Sequence, residues 1–131
     1  MSEAQVVLPE GWKRPRGWSN GIRRGDQLQV AGQFGWDPTD QRFASTDFGD
    51  QWRQALDNVL AVVSAAGGQA DGVDSLRIYV TDLAAYRAAG AAVAAGWQAT
   101  LGAHFPTITM VQVVALTEPD AVLEIEGTAT V

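Results

Sequence analysis

The chain has 131 residues, a formal net charge of −6 and no cysteine, which is the size of one ordinary domain with a core of its own. Disulfides and thiolate-held metals are therefore excluded, and a single histidine, His104, cannot make a multi-histidine metal site within one chain. The acidic balance argues against a phosphate backbone as partner, so nucleic acid is not expected, and no apolar run reaches the roughly 18 residues of a membrane span.

The start, Met1-Ser-Glu-Ala-Gln-Val-Val-Leu8, has no basic segment leading into a long apolar stretch, so a cytoplasmic protein is expected. Residues 1–12 show no periodicity and read as a loose arm of a single domain over 1–131. Pro15, Gly17 and Gly21 punctuate a turn-rich entry. Around it lie Lys13, Arg14, Arg16, Arg23 and Arg24, a cluster that reads as a solvated face or interface rim.

Ile22–Arg24 and Gln27–Ala31 flank Gly25-Asp26 as a hairpin, with Leu28 and Val30 on one side and Gln27 and Gln29 on the other. Gly32 to Asp40 continues as a short strand or loop broken at Asp37-Pro38. From Asp47, a plausible N-cap, the apolar spacing becomes helical: Phe48, Trp52, Ala55, Leu56, Val59, Val62, Val63 and Ala66, stopped by Gly67-Gly68. Val73–Val80 alternates Leu76, Ile78 and Val80 against Ser75, Arg77 and Tyr79, as a strand does. Asp82 can cap a second helix with the stripe Leu83, Tyr86, Gly90, Val93 and Trp97. Its glycines, Gly90 and Gly96, each cost about 1 kcal/mol relative to alanine, which close packing against another element would offset.

The last stretch, Phe105 to Val131, reads as two strands with a turn between them. Ile108, Met110 and Gln112 share one face and Thr109, Val111 and Val113 the other, while Glu124 and Glu126 lie opposite Leu123 and Ile125. The whole is an α+β chain, a mixed sheet with two helices on one face.

Phe105-Pro-Thr-Ile-Thr-Met-Val-Gln-Val-Val-Ala-Leu116 with Leu123-Glu-Ile-Glu126 resembles the closing signature of the reactive-intermediate deaminase (Rid, YjgF-like) family. The likeness runs back through Val30-Ala-Gly-Gln33, Gln54-Ala-Leu-Asp-Asn-Val59, Ala65-Ala-Gly67 and Tyr79-Val-Thr-Asp-Leu83. It implies a chorismate-mutase-like α+β fold and a homotrimer whose small-molecule clefts lie between subunits, with no cofactor.

In the family's deaminases an arginine two residues after the proline of this strand grips the substrate carboxylate, as a fork of fixed N–H donors can. Here Pro106-Thr-Ile-Thr109 puts Ile108 there, and Gly90 stands where an asparagine commonly assists. The resemblance makes Glu124 the catalytic carboxylate that positions water. It makes Trp18, Ala31, Gly32, Ile108 and Met110 the substrate-binding residues, with Trp36 a further candidate, all around Glu124. Glu126 and the loop residue His104, expected to be merely solvated, keep structural readings. The implied function is hydrolysis of an enamine, imine or related reactive metabolite other than a standard 2-iminoacid. The alternative is a non-catalytic, small-molecule-binding or partner-regulating trimer.

Overall fold

In chain order the strands are β1 (Gln5–Val7), β2 (Gly21–Arg24), β3 (Gln27–Phe34), β4 (Val73–Val80), β5 (Thr107–Gln112) and β6 (Leu123–Thr130). The helices are α1 (Phe48–Ala65), α2 (Leu83–Ala88) and α3 (Gly90–Thr100). They are taken from a computed structural model that describes residues 3–131. The strands form one sheet in the order β1-β2-β3-β6-β4-β5, antiparallel throughout except for the parallel pair β4 and β5.

The hairpin turns at Gly25-Asp26 as its punctuation implies. Asp47 caps α1 by accepting from the Asp50 amide. At the other end Gly67, at φ +89°, allows Gly68 N–H to reach Val63 C=O and Gly67 N–H to reach Ser64 C=O. That pair of bonds satisfies carbonyls the helix leaves open. Arg23, from the basic cluster, donates to Ala66 C=O at 2.6 Å and so serves the same helix end rather than only a solvated face.

The core is the layer between α1 and the sheet. Trp52, Leu56, Val59, Val62 and Val63 pack on Leu28, Val30, Leu76, Ile78, Leu123 and Ile125, all buried. The alternation read from β3, β4 and β6 therefore assigns their inward residues correctly. On the outward face Arg77, Tyr79, Glu124, Glu126 and Thr128 remain partly or fully exposed, and no layer covers them among the described residues.

Three expectations change. Within the stretch read as an arm, Gln5–Val7 is an edge strand on β2, too short to show a period of two; Met1 and Ser2 lie outside the described residues. The second helix is two segments parted at Ala89 (φ −90°, ψ 17°), an Ala- and Gly-rich stretch. Gly96 is closely packed as anticipated, since a Cβ there would lie 2.9 Å from Trp52, whereas Gly90 has open space around it. Finally, β5 and β6 are consecutive in sequence but not neighbours, because β4 lies between them.

Two buried amides fix the loops at the end of the sheet where β3 stops. Asn58 donates to Phe34 C=O at 3.0 Å and Trp36 C=O at 2.9 Å. Gln51 donates to Ser45 C=O and Asp120 C=O and accepts from the Val122 amide. Losing either amide would strand buried carbonyls, at about 1–3 kcal/mol for each group left unpaired.

Candidate functional site

The pairing of β3 with β6 slips between Val30, opposite Gly127, and Gln33, opposite Ile125. Ala31 and Gly32 thus stand against Glu126 alone, a bulge of the kind that re-aims a strand beside a site. Beyond it β3 runs into a small aromatic cluster in which Phe34 and Trp36 meet edge to face at 5.1 Å, with Phe43 and Ala121 behind. Bulge, cluster and the loop before β6 enclose a cavity of about 320 Å³ lined by Trp18, Ala31, Gly32, Phe34, Trp36, Glu118 and Glu124, among others. Trp18 is 44% exposed and also walls a neighbouring cavity with Arg14 and Val6.

The Glu124 carboxylate lies against Gly32. A Cβ on residue 32 would fall 2.5 Å from Oε2, so only glycine leaves room for the acid in this position. Glu124 is half-buried, and burial first, with the charge of Glu126 second, holds its carboxyl above the ordinary carboxylate range. Glu126 goes the other way. Its Oε1 accepts from Tyr79 OH and lies 3.3 Å from Arg77 Nε; the Tyr79 bond chiefly, and Arg77 next, hold it below the ordinary range against some desolvation.

Two carboxylates on one face of one strand are thus separated in proton affinity, a pattern suited to acid–base work. The sign of each contribution follows. Glu126, depressed in the fold, stabilises above its unfolded value and loses that as pH falls through its lowered folded value. Glu124, raised, favours the folded state at low pH and ceases to do so as pH rises through its folded value. A side-chain carboxyl ¹³C titration should find Glu124 titrating above Glu126, and Glu126→Gln should move the Glu124 midpoint down. Coincident midpoints at the ordinary value would contradict the geometry.

Ile108 and Met110 are elsewhere. The parallel register sets them beside Leu76 and Ile78, on the helix side of the sheet, while Glu124 is opposite Tyr79 on the other side. They line a second cavity, of about 390 Å³, with Trp52, Tyr86, Trp97 and Phe105. The residues expected in a single pocket around Glu124 therefore line two separate cavities in one chain: Trp18, Ala31, Gly32 and Trp36 join Glu124, and Ile108 and Met110 do not. The parity of alternation was readable within each strand, but which face of β5 matches which face of β6 depends on the intervening β4.

His104 also differs from its expected solvated state. Its Nε2 donates to Val73 C=O at 2.7 Å and ties the approach to β5 onto β4. Sequence reasoning missed Tyr79 as the partner that keeps Glu126 ionised; the alternation of β4 put Arg77 and Tyr79 on the outward face, which was the available signal. Among the described residues, no group of three or more acidic, histidine or cysteine side chains could hold a metal ion.

The comparisons with known proteins agree with this architecture. The family described as Endoribonuclease L-PSP matches residues 13–131. A RutC family protein of Leuconostoc mesenteroides subsp. cremoris is 30% identical over 129 residues, covering 98% of each chain. A RutC family protein of Pyrococcus horikoshii is 34% identical over 80 residues, 60% of this chain and 64% of that protein, so the match spans less than two thirds of that relative's length. Among solved structures, YyfA of Yersinia pestis, of the conserved Rid protein family, superposes with a TM-score of 0.85 at 26% identity, covering 98% of this chain and 100% of that one.

Proposed function

This chain belongs to the Endoribonuclease L-PSP family, which is the Rid, or YjgF-like, family of the sequence resemblance, and on that premise we propose that it is a small-molecule hydrolase of an enamine, imine or related reactive metabolite. The observation that carries the reading is Glu124: a half-buried acid of raised proton affinity, pressed on Gly32 in a cavity open to a ligand. As a carboxylate it accepts a proton from the water whose oxygen attacks the imine carbon. As an acid it returns that proton to the nitrogen to give a carbinolamine; a second transfer through the same carboxyl, from the carbinol hydroxyl to the nitrogen, breaks the C–N bond and releases ammonia and the carbonyl product. A carboxyl that titrates closer to neutrality than an ordinary glutamate suits both steps.

The two cavities lie on opposite faces of the sheet, so one chain cannot close a cleft that uses both. Two copies can, if the Glu124 half of one meets the Ile108 half of the next, and a ring of three such contacts would also cover the outward sheet face. Light scattering at micromolar concentration should therefore report three times 13.9 kDa. A monomer would leave the Ile108 half outside the site and reduce the reading to the Glu124 cavity alone.

Ribonuclease activity, which the family description names, is not adopted. The net charge is −6, and no Lys, Arg or His is among the described residues lining the Glu124 cavity, whereas phosphate contacts rest on cations. One observation favours the second reading, a trimeric small-molecule binder without turnover: among the described residues lining the 390 Å³ cavity, none is Asp, Glu, Lys, Arg or His. Among the described residues no helix is long and apolar enough to cross a membrane, and action in the cytoplasm is part of the proposal.

A further inference from the structure

The cavity on the helix side of the sheet has a chemistry of its own. An open cavity of about 390 Å³ is lined by Trp52, Tyr86 and Trp97 from the helices and Phe105, Ile108 and Met110 from the approach to β5 and the strand itself. Among the described residues lining it, none is Asp, Glu, Lys, Arg or His. Phe105 is 74% exposed and Ile108 46% exposed, so apolar surface stands open at the rim. Phe105 nonetheless lies flat against Trp97, their rings 3° from parallel with centroids 6.2 Å apart, and this stacked pair makes a planar wall. The Trp97 Nε1–H is buried and has no acceptor among the described residues, although buried donors ordinarily find one.

We propose that this cavity is the subsite for an uncharged, ring-bearing group of the ligand, and that it selects against a carboxylate in that place. Size, shape and charge point the same way. An engineered cavity of about 150 Å³ holds one benzene ring, so the space here accommodates two fused rings. A planar wall favours a planar ring by offset stacking. A carboxylate entering it would exchange water for a surface with no cation, and an uncompensated charge is the costliest group to bury. The inference rests on the proposed function only in joining this subsite to the Glu124 of a neighbouring copy; the cavity and its selectivity belong to the single chain.

The probes are 2-naphthol and 2-naphthoate, which share their rings and differ in charge near neutral pH, measured by calorimetric titration of the full chain in its solution assembly. 2-Naphthol should bind, and 2-naphthoate should bind at least about tenfold more weakly. Ile108→Glu should weaken 2-naphthol at least tenfold, while Ile108→Val should keep its affinity within about twofold. Equal affinity for the two probes, or no binding of 2-naphthol because a second copy fills the cavity, would overturn the proposal. The native comparison decides this even if Ile108→Glu fails to fold. Binding of 2-naphthol by a protein that hydrolyses no imine would leave the subsite standing and remove the hydrolase reading; imine hydrolysis without discrimination between the probes would do the reverse.

Discussion

Glu124→Gln is expected to leave the fold and assembly intact and to lower turnover of any enamine or imine that the native protein hydrolyses by roughly 10²–10⁴-fold. Glutamine keeps the shape that fits against Gly32 but cannot exchange a proton in the working pH range, so the loss isolates proton transfer from packing. The substitution should not cost stability, since Glu124 pays a desolvation cost in the fold and the partners on its face, Tyr79 and Arg77, serve Glu126 instead. Stopped-time assays of ketone or ammonia release, with circular dichroism as the check on folding, measure both sides of this expectation. Unchanged kinetics would return Glu124 to a structural role and favour the binder.

The second large effect concerns the substrate's charge. The native protein should hydrolyse short 2-iminoacids poorly, because no Lys or Arg is among the described residues lining either cavity, and the Glu124 half adds Glu118 as a second acid. An unpaired buried carboxylate costs several kcal/mol, and about 4 kcal/mol is a thousandfold in affinity. Ile108→Arg should recover part of this. Ile108 is 46% exposed, so a guanidinium placed there can keep water at the rim while its fork reaches into the cleft. Recovery should be incomplete, because Met110 still lines the cavity and Gly90 brings no donor. An amino-acid oxidase supplying the imine lets both proteins be compared side by side. Robust native activity would show that an anchoring cation is dispensable here.

Much of the fold was legible because it is set by local periodicity. The stripe from Phe48 to Ala66, the Asp47 cap and the Gly67-Gly68 stop specify α1, and the alternation of Val73–Val80 specifies β4. What was not legible depends on pairing. Nothing in Ile108-Thr-Met110 or Leu123-Glu-Ile125 says that β4 will separate them, parallel to one and antiparallel to the other; yet that arrangement puts Ile108 and Glu124 on opposite faces. The same limit hid Asn58 and Gln51, polar residues on the buried side of a helix whose value lies in carbonyls remote in sequence, such as Phe34 and Asp120. Glu126 was read as structural from its position; Tyr79 and Arg77 give that reading a second consequence, since a charge held on Glu126 raises Glu124.

The central claim is that one site is assembled from opposite sheet faces of two copies, and mixing two damaged proteins tests it most directly. Glu124→Gln impairs one half and Ile108→Glu the other, each leaving its partner half untouched. After co-refolding in equal amounts, random assembly of a ring gives about a quarter of the clefts two unaltered halves. Hydrolysis of the native protein's best imine should accordingly recover to about a quarter of the native rate, while either variant alone stays near its own low level. A mixture no more active than the average of its parents would place the whole site within one chain and contradict the account.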